Sequence, residues 1–156
     1  MSNRKWWQIA TIIWMVVIFL FTQLPYFTGS HTATAIDKLF FIDKIGFLSS
    51  QAKLLLIDSL NFLIRKATHL TAFGILSFFL FKSLERYRFS YLLAWCITFL
   101  YAMTDEWHQS FVPNRTASFK DVLIDTSGAF IVLLLTFLIK AKKRKKGETT
   151  EKVRLK

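Results

Sequence analysis

The chain has 156 residues, of which 53% are hydrophobic and 17% aromatic, and it carries 21 Lys and Arg against 10 Asp and Glu, a formal net charge of +11. This apolar content excludes an intrinsically disordered chain, and the lone Cys96 excludes an intrachain disulfide scaffold. The length fits one domain. A net charge of this size suggests nucleic acid or an anionic membrane surface as a partner, and the distribution of the charges decides between them.

The first predicted element is a transmembrane helix over about residues 6–26. No Asp, Glu, Lys or Arg occurs between Trp6 and Ile36, and Ile9–Leu24 is almost continuously apolar. A membrane span needs about 20 mostly apolar residues, and aromatic side chains such as Trp6 and Tyr26 favour its two interfaces. A cleaved signal peptide is the alternative, but its apolar core has only about 7–15 residues.

Three further apolar segments follow, at about residues 60–81, 89–108 and 121–139. We therefore predict an all-α fold: an integral membrane bundle of four transmembrane helices in a single domain, residues 1–139. A basic tail, residues 140–156, follows and is predicted to be disordered. A soluble helical bundle is the alternative, but it would have to bury helices that are apolar on every face.

The basic residues predict the orientation of this bundle. Of the 21 Lys and Arg, 14 lie before the first span, between the second and third, or in the tail, which alone holds nine of them, and seven lie on the other side. Because Lys and Arg favour the cytoplasmic side, we predict that both termini are cytoplasmic. The segments on that side account for the whole net charge. We therefore interpret the charge as a sign of orientation and of contact with anionic lipid. It predicts no nucleic-acid partner. One long outer loop remains, residues 27–59, whose apolar part Ile36–Ile45 is expected on the bilayer surface.

The ionisable residues inside the spans converge on the outer face. In this topology the start of the second span, the end of the third and the start of the fourth all point outward, and a charge within a span costs at least about 2.5–3.5 kcal/mol. We interpret the convergence as a polar pocket facing the outer leaflet; the alternative is a set of ion pairs that hold the helices together. The candidate ligand-binding residues are Arg65, Lys66, His69, Asp105, Glu106, Gln109, Arg115, Ser118, Asp121 and Asp125.

Two spaced motifs contain these residues. The first reads Arg65-Lys66-x-x-His69-x-x-x-Phe73-x-x-Leu76, and the second reads Asp105-Glu106-x-x-Gln109-x-Phe111-Val112-Pro113-Asn114-Arg115-x-x-Ser118-x-x-Asp121-x-x-x-Asp125-x-x-Gly128. Together they resemble the VanZ-like family of bacterial membrane proteins. The resemblance implies a multi-pass protein of the bacterial cell membrane, with the polar cluster on the extracytoplasmic side. The founding member of the family is associated with resistance to the lipoglycopeptide teicoplanin, so teicoplanin tolerance is one implied role.

Three positions depart from the family pattern. Asn114 stands where the family usually has Gly, Asp125 where Asn is common, and Phe73 where Tyr is common. Asn is among the residues that best tolerate a positive φ angle, so the turn is expected to survive. The added charge and the missing hydroxyl are expected to alter the chemistry of the pocket more than the fold.

Three functions stay open at this point. The first is non-enzymatic binding, in which Arg65, Lys66 and Arg115 hold the phosphate or carboxylate of a membrane lipid, a lipid-linked cell-wall precursor or an acylated glycopeptide. The second is a membrane-embedded enzyme with His69 as general base and Asp105 or Glu106 as its orienting group or acid. The third is a small transporter, which the dry inner halves of the spans disfavour. The sequence contains no recognisable cofactor or metal motif, and we predict neither.

Overall fold

A computed structural model describes residues 3–23, 29–112 and 118–154. These residues form five α-helices and one turn of 3-10 helix, with no β-strand among them. The α-helices are α1 (Asn3–Gln23), α2 (Gly29–Phe40), α3 (Ser50–Leu84), α4 (Ser90–Gln109) and α5 (Phe119–Arg154), and the 3-10 turn covers Ile42–Lys44. The predicted all-α class is confirmed.

Within the described residues, three helices have the length and the apolar composition needed to cross a membrane: Arg4–Thr22, Ser50–Leu84 and Phe119–Gly147. Large apolar side chains on these helices, such as Ile12 and Phe130, face outward. Water-soluble proteins rarely expose contiguous apolar surfaces of this extent, whereas hydrocarbon tails solvate them. Helix α4 also has 20 residues, but it is not among the helices apolar enough to cross a membrane by this criterion, and Asp105 and Glu106 lie in its last turns.

Helix α3 is the central helix of the molecule. It packs against α1, α4 and α5, and α2 also lies against it. Its inward face consists of Phe73, Leu76 and Phe81, each at most 1% exposed. The indole nitrogen of Trp14 on α1 donates a hydrogen bond of 2.9 Å to the carbonyl of Ala72, which fixes the first helix against the third.

Helices α3 and α5 cross in very close contact because two glycines lie at the crossing. A Cβ atom on Gly128 would overlap the backbone carbonyl of Leu70, and a Cβ on Gly74 would lie 2.9 Å from the side chain of Val132. Close approach through small residues is the usual way that helices pack in membranes. The buried Ser77 hydroxyl donates 2.7 Å to the carbonyl of Gly74 in its own helix and lies 3.4 Å from that of Ala129 across the crossing.

The region predicted as a long outer loop contains much more helix than expected. Helix α3 begins at Ser50, ten positions before the predicted span, and the Ser49 hydroxyl caps it by accepting from the amide of Ala52 at 3.3 Å. The following residues have good helix propensity and include no Gly or Pro. Helix α2 packs on this early part of α3 and buries Ile36. Burial against protein covers only part of the apolar content of this region, because Leu39, Phe41 and Phe47 are exposed.

The start of α1, the end of α3 and the middle of α5 meet at one end of the molecule, which we call the basic end. The ammonium groups of Lys82 and Lys140 both contact the carboxylate of Glu85. The guanidinium of Arg4 donates 3.4 Å to the hydroxyl of Tyr87. Helices α1 and α4 therefore run antiparallel to α3 and α5, which run parallel to each other, and the candidate site residues lie at the opposite end.

Helix α5 continues far beyond the predicted end of the fourth span. The sequence predicts a disordered tail after Ile139, but the helix runs to Arg154. This stretch is rich in Lys and Arg, and such residues have high helix propensity. Its high charge, from which we predicted disorder, is compatible with a solvated extension of an anchored helix.

Candidate functional site

A cavity of about 710 Å³ lies between α1 and α3, with α2 at its edge. Its wall is mostly apolar, and the polar side chains in it are Arg65, His69 and several threonines. Arg65 and His69 are four residues apart on α3 and therefore lie on one face of that helix. The volume is within the range of about 300–1,000 Å³ that is typical of ligand pockets. The apolar wall includes Trp14, Val17, Ile18, Phe21, Ile64, Ala67, Ala72, Phe73 and Ile75.

The two neighbouring cations of α3 have different surroundings. The ammonium of Lys66 forms an ion pair with the carboxylate of Asp121 in the first turn of α5. Arg65, in contrast, forms no ion pair with any of the described residues. Lys66 is therefore already neutralised by the protein, whereas Arg65 lines the cavity and has no acidic partner among the described residues.

His69 lies between the cavity and a buried carboxylate. Its Nδ1 atom is 3.4 Å from Oδ1 of Asp125, whose side chain is 0% exposed. Neither carboxylate oxygen of Asp125 has a hydrogen-bond partner among the described residues. The imidazole ring stacks on Phe73 at a centroid distance of 6.3 Å. A buried carboxylate without hydrogen bonds is rare and often marks a functional group.

Asp105 is held between α1 and its own helix. The Thr22 hydroxyl of α1 donates 2.6 Å to one oxygen, and the Gln109 amide donates 2.7 Å to the other. All three side chains are at most 5% exposed, and Thr22 is also part of the cavity wall. These bonds fix the end of α4 against the end of α1 and support the wall of the cavity.

Glu106 connects the end of α4 to the start of α5. One of its oxygens accepts 2.9 Å from the amide of Ser118. The Ser118 hydroxyl in turn accepts 3.3 Å from the amide of Lys120, as expected for an N-cap residue. The second oxygen, Oε1, is buried without a hydrogen-bond partner in the described part of the chain. Glu106 therefore positions the beginning of α5 and still offers one acceptor.

The structure thus places nine of the ten predicted site residues at one end of the molecule, where they make different contacts. Arg65 and His69 line the cavity, and the other seven form the contacts behind or beside it. The tenth residue, Arg115, and its turn at 113–117 lie outside the described residues. Among those described, no group of three or more His, Cys, Asp or Glu side chains is placed to hold a metal ion.

Two features of the site differ from the sequence-based interpretation. The acidic partner of His69 is Asp125, whereas we expected Asp105 or Glu106, which instead bond to Thr22 and Ser118. The contribution of α1 was also missed. The inward position of Thr22 could have been predicted from the sequence, because Thr11, Ile18 and Thr22 have the spacing of one helix face. The structure buries all three side chains.

Apolar helices packed through glycines, with buried polar side chains where the helix ends meet, define a helical membrane protein. The VanZ/LLP1 family model matches residues 7–140, and the chain therefore belongs to that family. The match extends from the first turns of α1 to the middle of α5 and includes every candidate site residue. Neither the curated proteins nor the solved structures contain a significant match to this chain.

Proposed function

We propose that this VanZ-family protein binds an anionic amphiphile from the outer leaflet of the membrane: a lipid, a lipid-linked cell-wall precursor or an acylated glycopeptide. The observation that carries this proposal is the position of Arg65, an unpaired cation among the described residues, on the wall of an apolar cavity. The cavity would take the apolar chain, and the guanidinium would hold the phosphate or carboxylate through paired hydrogen bonds.

The surrounding polar residues support a binding role for Arg65. Lys66 is occupied by Asp121, and Asp105 is occupied by Thr22 and Gln109. None of these acidic groups forms an ion pair with the guanidinium. A cation left unpaired near a membrane is costly, and an anionic ligand would remove this cost.

The proposal includes four membrane spans with both termini in the cytoplasm. Helix α4 would be the fourth span, because its 20 residues at about 1.5 Å per residue match a hydrocarbon core about 30 Å thick. The basic end, with Arg4, Lys82 and Lys140, would face the cytoplasm as the preference of Lys and Arg requires. The cavity and the polar cluster would then open toward the extracytoplasmic side.

The orientation can be tested by labelling single cysteines in a Cys96→Ser background. Phe47 is 89% exposed beside the polar-cluster end, and Arg86 is exposed at the basic end. A membrane-impermeant maleimide applied to intact cells should label Phe47→Cys and spare Arg86→Cys, and both should react after permeabilisation. Labelling of Arg86→Cys alone in intact cells would invert the proposed topology.

Binding can be tested with purified protein in phosphatidylcholine nanodiscs that contain phosphatidylglycerol as the anionic probe. Arg65→Gln should weaken retention of the probe about tenfold or more, because a hydrogen bond to a charged group contributes about 1.5–3 kcal/mol and about 1.4 kcal/mol is a factor of ten. Arg86→Gln is the matched control and should bind like the wild type. Equal affinity of Arg65→Gln and wild type would refute the proposed site.

A contribution to teicoplanin tolerance is the more specific form of this proposal. Teicoplanin carries an acyl chain whereas vancomycin does not, so a protein that captures acylated anions should discriminate between the two. Deletion of the gene should lower tolerance to teicoplanin and leave tolerance to vancomycin unchanged. An equal response to both antibiotics, or none to either, would exclude this role and leave lipid binding to be judged separately.

A further inference from the structure

We propose that His69 and Asp125 form a general-base pair, which activates water for hydrolysis of a phosphate monoester of a lipid alcohol held in the cavity. The inference rests on the proposed binding function and adds a reaction to it. It is carried by the juxtaposition of a fully buried carboxylate, an imidazole in the cavity wall and, on the same face of α3, Arg65, which has no ion-pair partner in the described part of the chain.

The neighbours of His69 fix the orientation of its imidazole. Nδ1 of His69 faces Oδ1 of Asp125 at 3.4 Å, so the carboxylate favours the tautomer that carries its proton on Nδ1. Nε2, on the other side of the ring, is then unprotonated and able to accept a proton. Stacking on Phe73 restricts rotation of the ring. Catalytic hydrogen bonds are often long before substrate binds, which is consistent with this distance.

Asp125 has few possible partners besides His69. Its carboxylate is 0% exposed and, apart from the imidazole 3.4 Å away, faces no hydrogen-bond donor among the residues that the structure describes. A carboxylate that served only to hold helices together would be expected to make hydrogen bonds, as Asp105 does with Thr22 and Gln109. The neighbour available to Asp125 is the imidazole, so its charge is positioned to stabilise the imidazolium that forms when His69 takes a proton.

The substrate would be positioned by Arg65. Arg65 lies one helical turn from His69 and lines the same cavity. Its guanidinium would bind two phosphoryl oxygens and stabilise the negative charge on them in the transition state. With the lipid chain among the apolar side chains of the cavity, the phosphorus atom would lie within reach of a water held by His69.

The chemical step balances without a further reactant. The oxygen of water attacks phosphorus while Nε2 of His69 takes one of its protons. The bond between phosphorus and the oxygen of the lipid alcohol breaks on the opposite side, that oxygen takes a proton from solvent water, and the imidazolium releases its proton to solvent. The products are the free lipid alcohol and inorganic phosphate. Asp125 touches no reacting atom, so it is a positioning residue, and His69 is the catalytic base.

The test uses the purified full chain in phosphatidylcholine nanodiscs with two separate probes, phosphatidic acid and a polyprenyl phosphate, and measures inorganic phosphate released. Wild type should release phosphate from at least one probe, and the probe identifies the lipid class. His69→Ala should lower kcat by about 10²–10⁴-fold, the usual contribution of a general base. His108→Ala, which changes an exposed histidine near the end of α4, is the matched control and should keep the wild-type rate.

Asp125 requires a readout that a purely structural role would not change. Asp125→Asn keeps the shape of the side chain and removes its charge. It should lower kcat with little change in KM and should displace the acidic limb of the pH–rate profile, while Asp125→Glu should recover part of the rate. A lower kcat/KM of Asp125→Asn with an unchanged pH–rate profile would overturn the assignment of Asp125.

The outcomes separate this inference from the binding proposal. Retention of both probes through Arg65 without release of phosphate would overturn the catalytic pair and leave binding intact. Equal phosphate release by wild type and His69→Ala would show that His69 is not the base and would also overturn the inference. Loss of probe binding in the wild type would refute the proposed function itself.

Discussion

At the scale of single residues, the buried and half-buried polar side chains of this end of the molecule fall into two groups. Asp105, Gln109 and Thr22 satisfy one another through short hydrogen bonds. Arg65, Asp125 and Oε1 of Glu106 lack such bonds among the described residues. Satisfied groups fix the geometry of the fold, whereas unsatisfied ones are available to a ligand or a reaction. This division is our reason for assigning binding to Arg65 and structure to Asp105.

The structural role of Asp105 can be tested through its partner on α1. Thr22→Val keeps the shape of the side chain and removes the donor to the carboxylate, so it should lower the free energy of unfolding by about 0.6–1.7 kcal/mol, the range found for such bonds in membranes. Thr104→Val is the control, since the Thr104 hydroxyl is exposed and bonds within its own helix. Unfolding in detergent micelles measures both. Equal free energies of unfolding for the two variants would show that this hydrogen bond does not stabilise the fold.

At the scale of helices, the contact between α3 and α5 determines where the site forms. This contact brings His69 to Asp125 and Lys66 to Asp121, and it depends on the absence of a Cβ atom at Gly128. Because the obstructing atoms belong to the backbone of Leu70, a side chain at this position cannot be accommodated by a change of rotamer. The two helices would have to move apart.

Gly128→Ala should therefore destabilise the protein by about 1–3 kcal/mol, the usual cost of overpacking. Gly147→Ala is a control within the same helix, because a Cβ there meets nothing within 4 Å. It should be neutral or stabilising by up to about 1 kcal/mol through helix propensity. Thermal unfolding in detergent measures both variants. A stable Gly128→Ala protein with normal lipid binding would contradict the close crossing of α3 and α5.

The sequence allowed the helical class, four of the five helices and the end at which the polar residues meet to be predicted, because long apolar segments and charge bias are local signals. It did not predict α2, the early start of α3 or the cavity beside α1. Hydropathy does not determine how a helix is rotated about its axis when all of its faces are apolar. For that reason the pairing of His69 with Asp125, and the place of Thr22, required the packed structure.

At the scale of the whole molecule, charge is separated between the two ends. Most of the net charge of +11 lies at the basic end and along the extension of α5, while the opposite end carries nearly balanced charge around a cavity. The first feature suits anchoring to the anionic cytoplasmic leaflet. The balanced charge around the cavity suits selective binding of an amphiphile, because few uncompensated cations remain at that end to attract anions without specificity.

The central claim is that the cavity between α1 and α3 holds the apolar part of an anionic lipid whose charged group lies at Arg65. Photocrosslinking tests this claim most directly, with a phosphatidylglycerol analogue that carries a diazirine on one acyl chain. We predict crosslinks at cavity residues such as Val17, Phe21 and Ile75, which unlabelled phosphatidylglycerol competes away and Arg65→Gln strongly reduces. Crosslinks spread evenly over exposed side chains such as Phe130 and Leu134, unaffected by Arg65→Gln, would contradict it.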